Sequence, residues 1–272
     1  MKILLVTSRY PWPPRRGDQL RAEQMLEMLA PDHDLTLLAP APGPDAPAPP
    51  AGRSYEVRTY RRGRATALAG GFGRALAAGL PLESALFHHP DLTRRLRELA
   101  PRMDLCILQL ARLVLHLEDV GATPLLVDLI DSLSLNIARR AACHSLWLRP
   151  PLLLEAHLLA RAERRLTAGA CRVLVVSERD RQAIAGHLPP TLAGRLAVVP
   201  LALTLAPVMP PGGQDPPAGG PLLAITGNLG YFVNVDAVTW WLREVWPGLH
   251  ASSPAVRLEV AGDRPARALR RA

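Results

Sequence analysis

Cysteine is scarce, and the three residues present, Cys106, Cys143 and Cys171, are far apart and form no C-x-x-C pair. That excludes a disulfide framework and a cysteine-based zinc site, and predicts small core hydrophobes in a reducing compartment. Aromatic residues make up only 4% of the chain, too few for a base-stacking platform, and no basic helix carries interleaved aromatics. Nucleic acid is therefore not an expected partner. Lysine is nearly missing: Lys2 is the only one among 32 cationic side chains, so the formal charge of +8 rests on arginine. Enrichment in Arg, Ala, Pro and Leu is what a GC-rich coding bias produces, and a basic face meeting phosphates is the other reading. The chemical fingerprints are absent too. Between Val6 and Leu20 there is neither G-x-G-x-x-G nor G-x-x-x-x-G-K-[ST], and the chain holds no G-x-S-x-G elbow, no H-E-x-x-H and no Cys/His ligand spacing. No metal and no cofactor are expected. The N-terminal apolar run stops at Thr7-Ser8-Arg9 and no apolar run reaches about 18 residues, so the expected location is cytoplasmic, at most peripheral to the inner face of the plasma membrane.

What is present is a βα opening. Lys2–Val6 reads as a buried strand that runs through a Pro loop to Gly17-Asp18 and into an amphipathic helix beginning near Gln19. Apolar strands follow at 34–39, 104–109, 124–131, 171–176 and 195–200, with an alternating strand at 54–60 and helices at 90–100, 146–168 and 179–188. Unbroken apolar runs suit parallel strands covered on both faces. The segment 207–221 is Pro/Gly-rich and reads as a linker, after which 222–228, a helix from about Val235 to Trp246 and 256–262 form one βαβ unit. The expectation is an α/β chain of two Rossmann-like parallel-sheet domains: residues 1–206, and a second domain over 222–272 that is incomplete. The 146–168 helix, with Glu155, Arg161, Glu163, Arg164 and Arg165 as a charged stripe against Leu154, Leu158, Leu159 and Leu166, is either an outer helix of the layer or a membrane-surface helix.

In open α/β sheets ligands bind beyond the carboxyl ends of the strands, which selects the candidate residues. Gly17 lies at a helix start, where backbone amides can meet a phosphate; the alternative is a plain turn glycine. Asp18 is a helix cap or an acceptor-hydroxyl partner, and Arg21, one turn further, either reaches a phosphate or faces solvent. Asp131-Ser132 ends the 124–131 strand, where a carboxylate can accept from sugar hydroxyls or cap the next helix. Asp128 and Asp131 are not a D-x-D pair, so a metal-dependent sugar site is not supported.

Ser8-Arg-Tyr-Pro-Trp-Pro-Pro-Arg-Arg-Gly-Asp-Gln-Leu-Arg21, Arg164-Arg165 with Val175-Val-Ser-Glu178, and Gly227-Asn-Leu-Gly-Tyr-Phe-Val-Asn-Val-Asp-Ala237 together resemble the GT-B retaining glycosyltransferases of family 4, in particular an exopolysaccharide-associated bacterial group. The resemblance implies transfer of a sugar, with retention, from a nucleotide-sugar donor to a polysaccharide or lipid-linked acceptor. It adds Gln109 and Arg112, at the end of the strand from Asp104 where the family often carries an acceptor-side polar residue, and Glu178, Gly227 and Asn228 to the binding candidates, Glu178 having a helix cap as its alternative role. It identifies no catalytic residue. The chain departs from the family's pattern in reading Leu201-Ala-Leu-Thr204 where an Asn-Gly turn is common. The paired donor-binding glutamates of the family have no counterpart before Ala272, so a catalytically silent glycan-binding remnant is the alternative reading.

Overall fold

The computed structural model describes residues 1–202, 220–263, 265–267 and 269, with side chains except at 64–69. The chain divides into two compact units, Met1–Leu203 and Thr204–Ala272. The expected linker at 207–221 lies outside the described residues but for its last two.

The first unit opens with β1 (Lys2–Val6), α1 (Gly17–Leu29), β2 (Asp34–Pro40) and β3 (Glu56–Tyr60). Helices α2 (Arg64–Ala78), α3 (Leu82–Ala85) and α4 (Pro90–Leu99) lead to β4 (Leu105–Gln109), a ten-residue 3-10 segment (Ala111–Val120) and β5 (Leu125–Ile130). Then follow α5 (Leu133–Ala142), α6 (Arg149–Gly169), β6 (Arg172–Val175), α7 (Glu178–Ala185), α8 (Pro190–Ala193) and β7 (Leu196–Val198). All seven strands run parallel in the order β3-β2-β1-β4-β5-β6-β7.

Strand side chains alternate between the two faces of such a sheet. On β1, Leu4 and Val6 join one core with Leu92, Leu96, Leu108, Leu113 and Leu166, whereas Ile3 and Leu5 join the other with Met25, Leu26, Leu35 and Leu37. Helix α1 thus covers one face while α4, α6 and the 3-10 segment cover the opposite one. Because both faces are covered, these strands read as continuous apolar runs.

Helix α2 begins at Arg64 within an Arg/Gly-rich stretch, and Gly71 is required there by packing: a Cβ would stand 2.6 Å from the Ala85 carbonyl oxygen. Three sequence expectations are corrected. Helix α6 begins at Arg149 rather than 146, because Pro150 and Pro151 fit only the first helical turn. Glu163 is not on a solvated stripe but fully buried, while Leu154 on the expected apolar face is exposed. Cys106 is buried, which pushes its thiol up to about 12, but Cys143 and Cys171 sit exposed at element ends.

In the second unit, β8 (Leu222–Asn228) pairs in parallel with β9 (Arg257–Asp263), joined by α9 (Phe232–Trp240), a π-helical segment (Trp241–Val245) and α10 (Trp246–Ser252). The strands approach closely at Gly262, where a Cβ would run into the Gly227 carbonyl. Leu222 and Leu223 are exposed, so this two-stranded sheet leaves apolar surface uncovered.

Candidate functional site

The sheet order reverses direction between β1 and β4, the switch point at which doubly wound sheets bind ligands. The loop after β1 is pinned from several sides. Tyr60 donates its hydroxyl to the Thr7 carbonyl at 3.0 Å, Gln19 Nε2 donates to the Tyr10 carbonyl at 2.8 Å, and Tyr10 donates to the Pro47 carbonyl at 3.1 Å. Tyr10 and Trp12 are buried, edge to face at 5.3 Å, and Trp12 stacks on Tyr55. The Pro-rich loop is therefore half core and half platform.

Three candidates converge at the switch point. Asp18 pairs with Arg9 instead of capping α1, whose N-cap, Arg16, makes no side-chain cap bond. Gln109 is buried and donates to the Asp18 carbonyl at 3.0 Å, tying the end of β4 to the start of α1. Arg112 meets Glu83 as an ion pair at 2.7 Å without hydrogen-bond alignment, and its guanidinium lies 5.2 Å from the Phe87 ring centroid. Burial lowers its pKa, against the pull of Glu83. Gly17 is the first residue of α1, with no neighbour within 4 Å of a built Cβ, so packing places no demand on it.

Arg21 neither faces solvent nor reaches outward. At 4% exposure it donates from Nε to Asp128 Oδ2 at 3.1 Å and from Nη1 to the Pro200 carbonyl at 3.2 Å. Asp128 is 0% exposed, and burial raises its pKa against the opposing pull of Arg21. This ion pair locks α1 to β5 and to the segment after β7, and it removes Arg21 from the residues open to a ligand.

At the end of β5, Ile130 takes a positive φ of 67° and turns Asp131 out of the strand. Asp131 is mostly buried and accepts from Asn136 Nδ2 at 2.7 Å; burial, reinforced by Asp180, raises its carboxyl to about 6. The helix cap is Ser132, whose Oγ accepts from the Leu135 amide, not Asp131. Ser132 is fully buried, its amide donating to Asp180 at 3.0 Å and its hydroxyl contacting Ser134 and Glu163, so it holds the strand end rather than a ligand. Glu178, the first residue of α7, is exposed and accepts from Arg181 Nε at 2.7 Å, which lowers its pKa; the cap of α7 is Ser177. In the second unit, Asn228 Oδ1 accepts from the Gly230 amide at 3.0 Å and its carbonyl accepts from Asn234 Nδ2 at 3.0 Å. A Cβ on Gly227 would lie 3.3 Å from that same Asn234 amide. Both residues shape the turn that opens α9.

A cavity of about 860 Å³ lies beside the β1 loop, lined by Arg9, Arg16, Arg62, Tyr10, Phe87 and His89 among others. Sequence reasoning did not select Arg62 or His89 as binding residues. Arg62 follows β3 and His89 precedes α4, and only the β3-β2-β1 order and the α2–α3 excursion bring them to one wall. Behind that wall His116 Nδ1 meets Asp119 Oδ2 at 3.0 Å, Thr93 donates to Asp119 at 2.8 Å, and His88 stacks on His116. Burial lowers the His89 pKa to about 4, so its ring is neutral at ordinary pH. Among the described residues no group of three or more His, Cys, Asp or Glu side chains is arranged to hold a metal ion.

The fold is the GT-B fold, with two α/β units in one chain. Among solved structures, the chain is similar to an α,α-trehalose-phosphate synthase (UDP-forming) from Burkholderia vietnamiensis, with a TM-score of 0.54 and 14% identity over 98% of this chain and 64% of that one. It is also similar to the lipopolysaccharide outer core galactosyltransferase WaaB in its apo form, with a TM-score of 0.51 and 11% identity over 100% of this chain and 70% of that one. A third likeness, with a TM-score of 0.51 and 14% identity over 97% and 65%, is to an E. coli structure described as trehalose-6-phosphate bound with UDP-2-fluoro glucose. The chain thus spans about two thirds of the length of these structures. No protein-family profile matches the sequence, and no curated protein matches it.

Proposed function

We propose that the protein is a glycosyltransferase that moves a sugar, with retention, from a nucleotide-sugar donor to a polysaccharide or lipid-linked acceptor, the first unit holding the acceptor. The observation that carries this reading is the likeness over nearly the whole chain to structures whose names describe UDP-dependent sugar chemistry. The family 4 and exopolysaccharide assignment rests on the sequence motifs alone. In this reading Asp18, Arg112 and Asp131 line the acceptor side, and the buried Gln109 holds Asp18 in place through its bond to the Asp18 carbonyl. Gly227 and Asn228 belong to the donor side, whose diphosphate is stabilised by helix-end amides and cations, with no cofactor and no metal. The departure from the family's pattern at Leu201-Ala-Leu-Thr204 favours a second reading, an acceptor-binding domain without turnover. Incubation with UDP-glucose, UDP-galactose and GDP-mannose separates the two: the transferase releases nucleoside diphosphate, whereas the binding domain takes up glycan and releases none.

The same reading includes peripheral contact with an anionic membrane surface. From Ser132 to Leu154 the sequence has no Asp or Glu, but has Arg139, Arg140 and Arg149. There Leu146 is 80% and Trp147 91% exposed, with Leu148, Leu153 and Leu154 also exposed. Apolar side chains interleaved with cations suit an anionic lipid interface. Among the described residues no helix is long and apolar enough to cross a membrane. In co-sedimentation with phosphatidylglycerol vesicles, the double variant L146S/W147S is expected to bind at least about tenfold more weakly than wild type. Equal binding of variant and wild type removes the membrane from the account, and equal binding to phosphatidylcholine vesicles removes the preference for an anionic surface.

A further inference from the structure

We infer that the cavity beside the β1 loop takes the phosphate or diphosphate of an anionic acceptor. This deepens the glycosyltransferase reading, on which the word acceptor rests; the anion site itself is argued from charge and shape.

The cavity of about 860 Å³ is of a size that encloses a small ligand. Its lining carries three guanidinium groups, from Arg9, Arg16 and Arg62, and no carboxylate. Only Arg9 is matched by a carboxylate, through its pair with Asp18. Arg62 makes one long bond, from Nη2 to the Ala41 carbonyl at 3.3 Å, and both Arg16 and Arg62 are exposed. A concave site with uncompensated cations attracts an anion, and guanidinium groups suit phosphate oxygens through paired N–H donors. The rest of the wall argues for what the phosphate is attached to. Leu86 and Phe87 offer apolar surface of the kind that packs a sugar ring or the first carbons of a lipid, backed by the buried rings of Tyr10 and Trp12. His89 adds no charge at neutral pH, so the arginines alone set the preference for anions.

Two sources share this chemistry, a lipid-linked diphosphate and a free sugar phosphate. The test is calorimetric titration of the whole chain with three probes: inorganic pyrophosphate, glucose 6-phosphate, and farnesyl diphosphate in detergent below its micelle concentration. Wild type is expected to bind pyrophosphate, more weakly as salt rises. The double variant R16Q/R62Q, changed only at exposed side chains, is expected to bind it roughly a hundredfold more weakly, about tenfold per charged contact. Tighter binding of farnesyl diphosphate than of glucose 6-phosphate identifies a lipid-linked acceptor, and the reverse order a soluble one. Absence of pyrophosphate binding to wild type, or equal binding by R16Q/R62Q, overturns the inference. Circular dichroism of the variant confirms that any loss is not unfolding. Binding that depends on these arginines in a protein that turns over no nucleotide sugar leaves the anion site standing and removes the glycosyltransferase reading.

Discussion

Arg21→Met is expected to lower the stability of the first unit by about 3–5 kcal/mol at pH 8, the range for breaking a buried ion pair from one side. The whole cation is buried, and its removal strands a carboxylate, Asp128, that has no water around it. Asp128 Oδ1 already lacks a partner, so losing Arg21 leaves only backbone support. The penalty has a defined pH dependence. Burial already raises the Asp128 pKa, and without Arg21 it rises further. An acid whose folded pKa is raised contributes stability that is lost as pH rises through that value, so the variant is expected to be closer to wild type at pH 5 than at pH 8. Urea unfolding at the two pH values measures this. The double variant R21M/D128L, which removes both charges, is expected to recover most of the loss. If Arg21→Met is as stable as wild type at pH 8, the residue is not the internal lock described here and returns to the list of ligand-facing cations.

Glu163→Ala is expected to cost about 3 kcal/mol or more, because hydrogen bonds to a charged group contribute about 1.5–3 kcal/mol each and three donors lose their acceptor together. The Ser134 amide and hydroxyl lie 3.1 and 2.7 Å from the Glu163 carboxylate, and the Ser132 hydroxyl 3.4 Å. His187 Nε2 lies 3.1 Å away on the other side. Glu163 thus fixes the first turn of α5, and with it the strand end that presents Asp131. Glu163→Gln keeps one acceptor oxygen and is expected to lose less than half as much. Hydrogen exchange at the Ser134 amide should accelerate in Glu163→Ala and stay near wild type in Glu163→Gln. Unchanged exchange in the alanine variant contradicts the assignment.

These two residues also show where sequence reading stops. The parallel sheet was legible because each buried strand is a short apolar run between turn residues, and the β1–α1 unit because an apolar run meets helical spacing directly. Helix α2 was hidden by Gly70, Gly71 and Gly73, which look like loop residues until Gly71 is seen to admit the Ala85 backbone. Glu163 sits among Arg161, Arg164 and Arg165 in sequence, yet shares the inner face of α6 with Leu159, Ala162 and Leu166. Charge alone placed it outside; the α5–α6 packing places it inside. Arg21 and Asp128 are 107 residues apart, and only the β1-β4-β5 order makes them neighbours. At the candidate site the placement of Asp131 at the end of β5 and of Asp18 at the start of α1 was legible from position, and Gln109 and Arg112 entered through the family resemblance. The cavity was not legible, because Arg62 and His89 reach it through the order of β3 and β2 and the fold of α2 and α3.

The central claim, that the protein transfers sugar from a nucleotide donor, is tested most directly by following nucleoside diphosphate release from UDP-glucose, UDP-galactose and GDP-mannose with and without a glycan or diphospholipid acceptor. The account expects release from at least one donor, accelerated by acceptor and unaffected by chelators. Absence of both binding and release for every donor, in a chain shown to be folded, contradicts it.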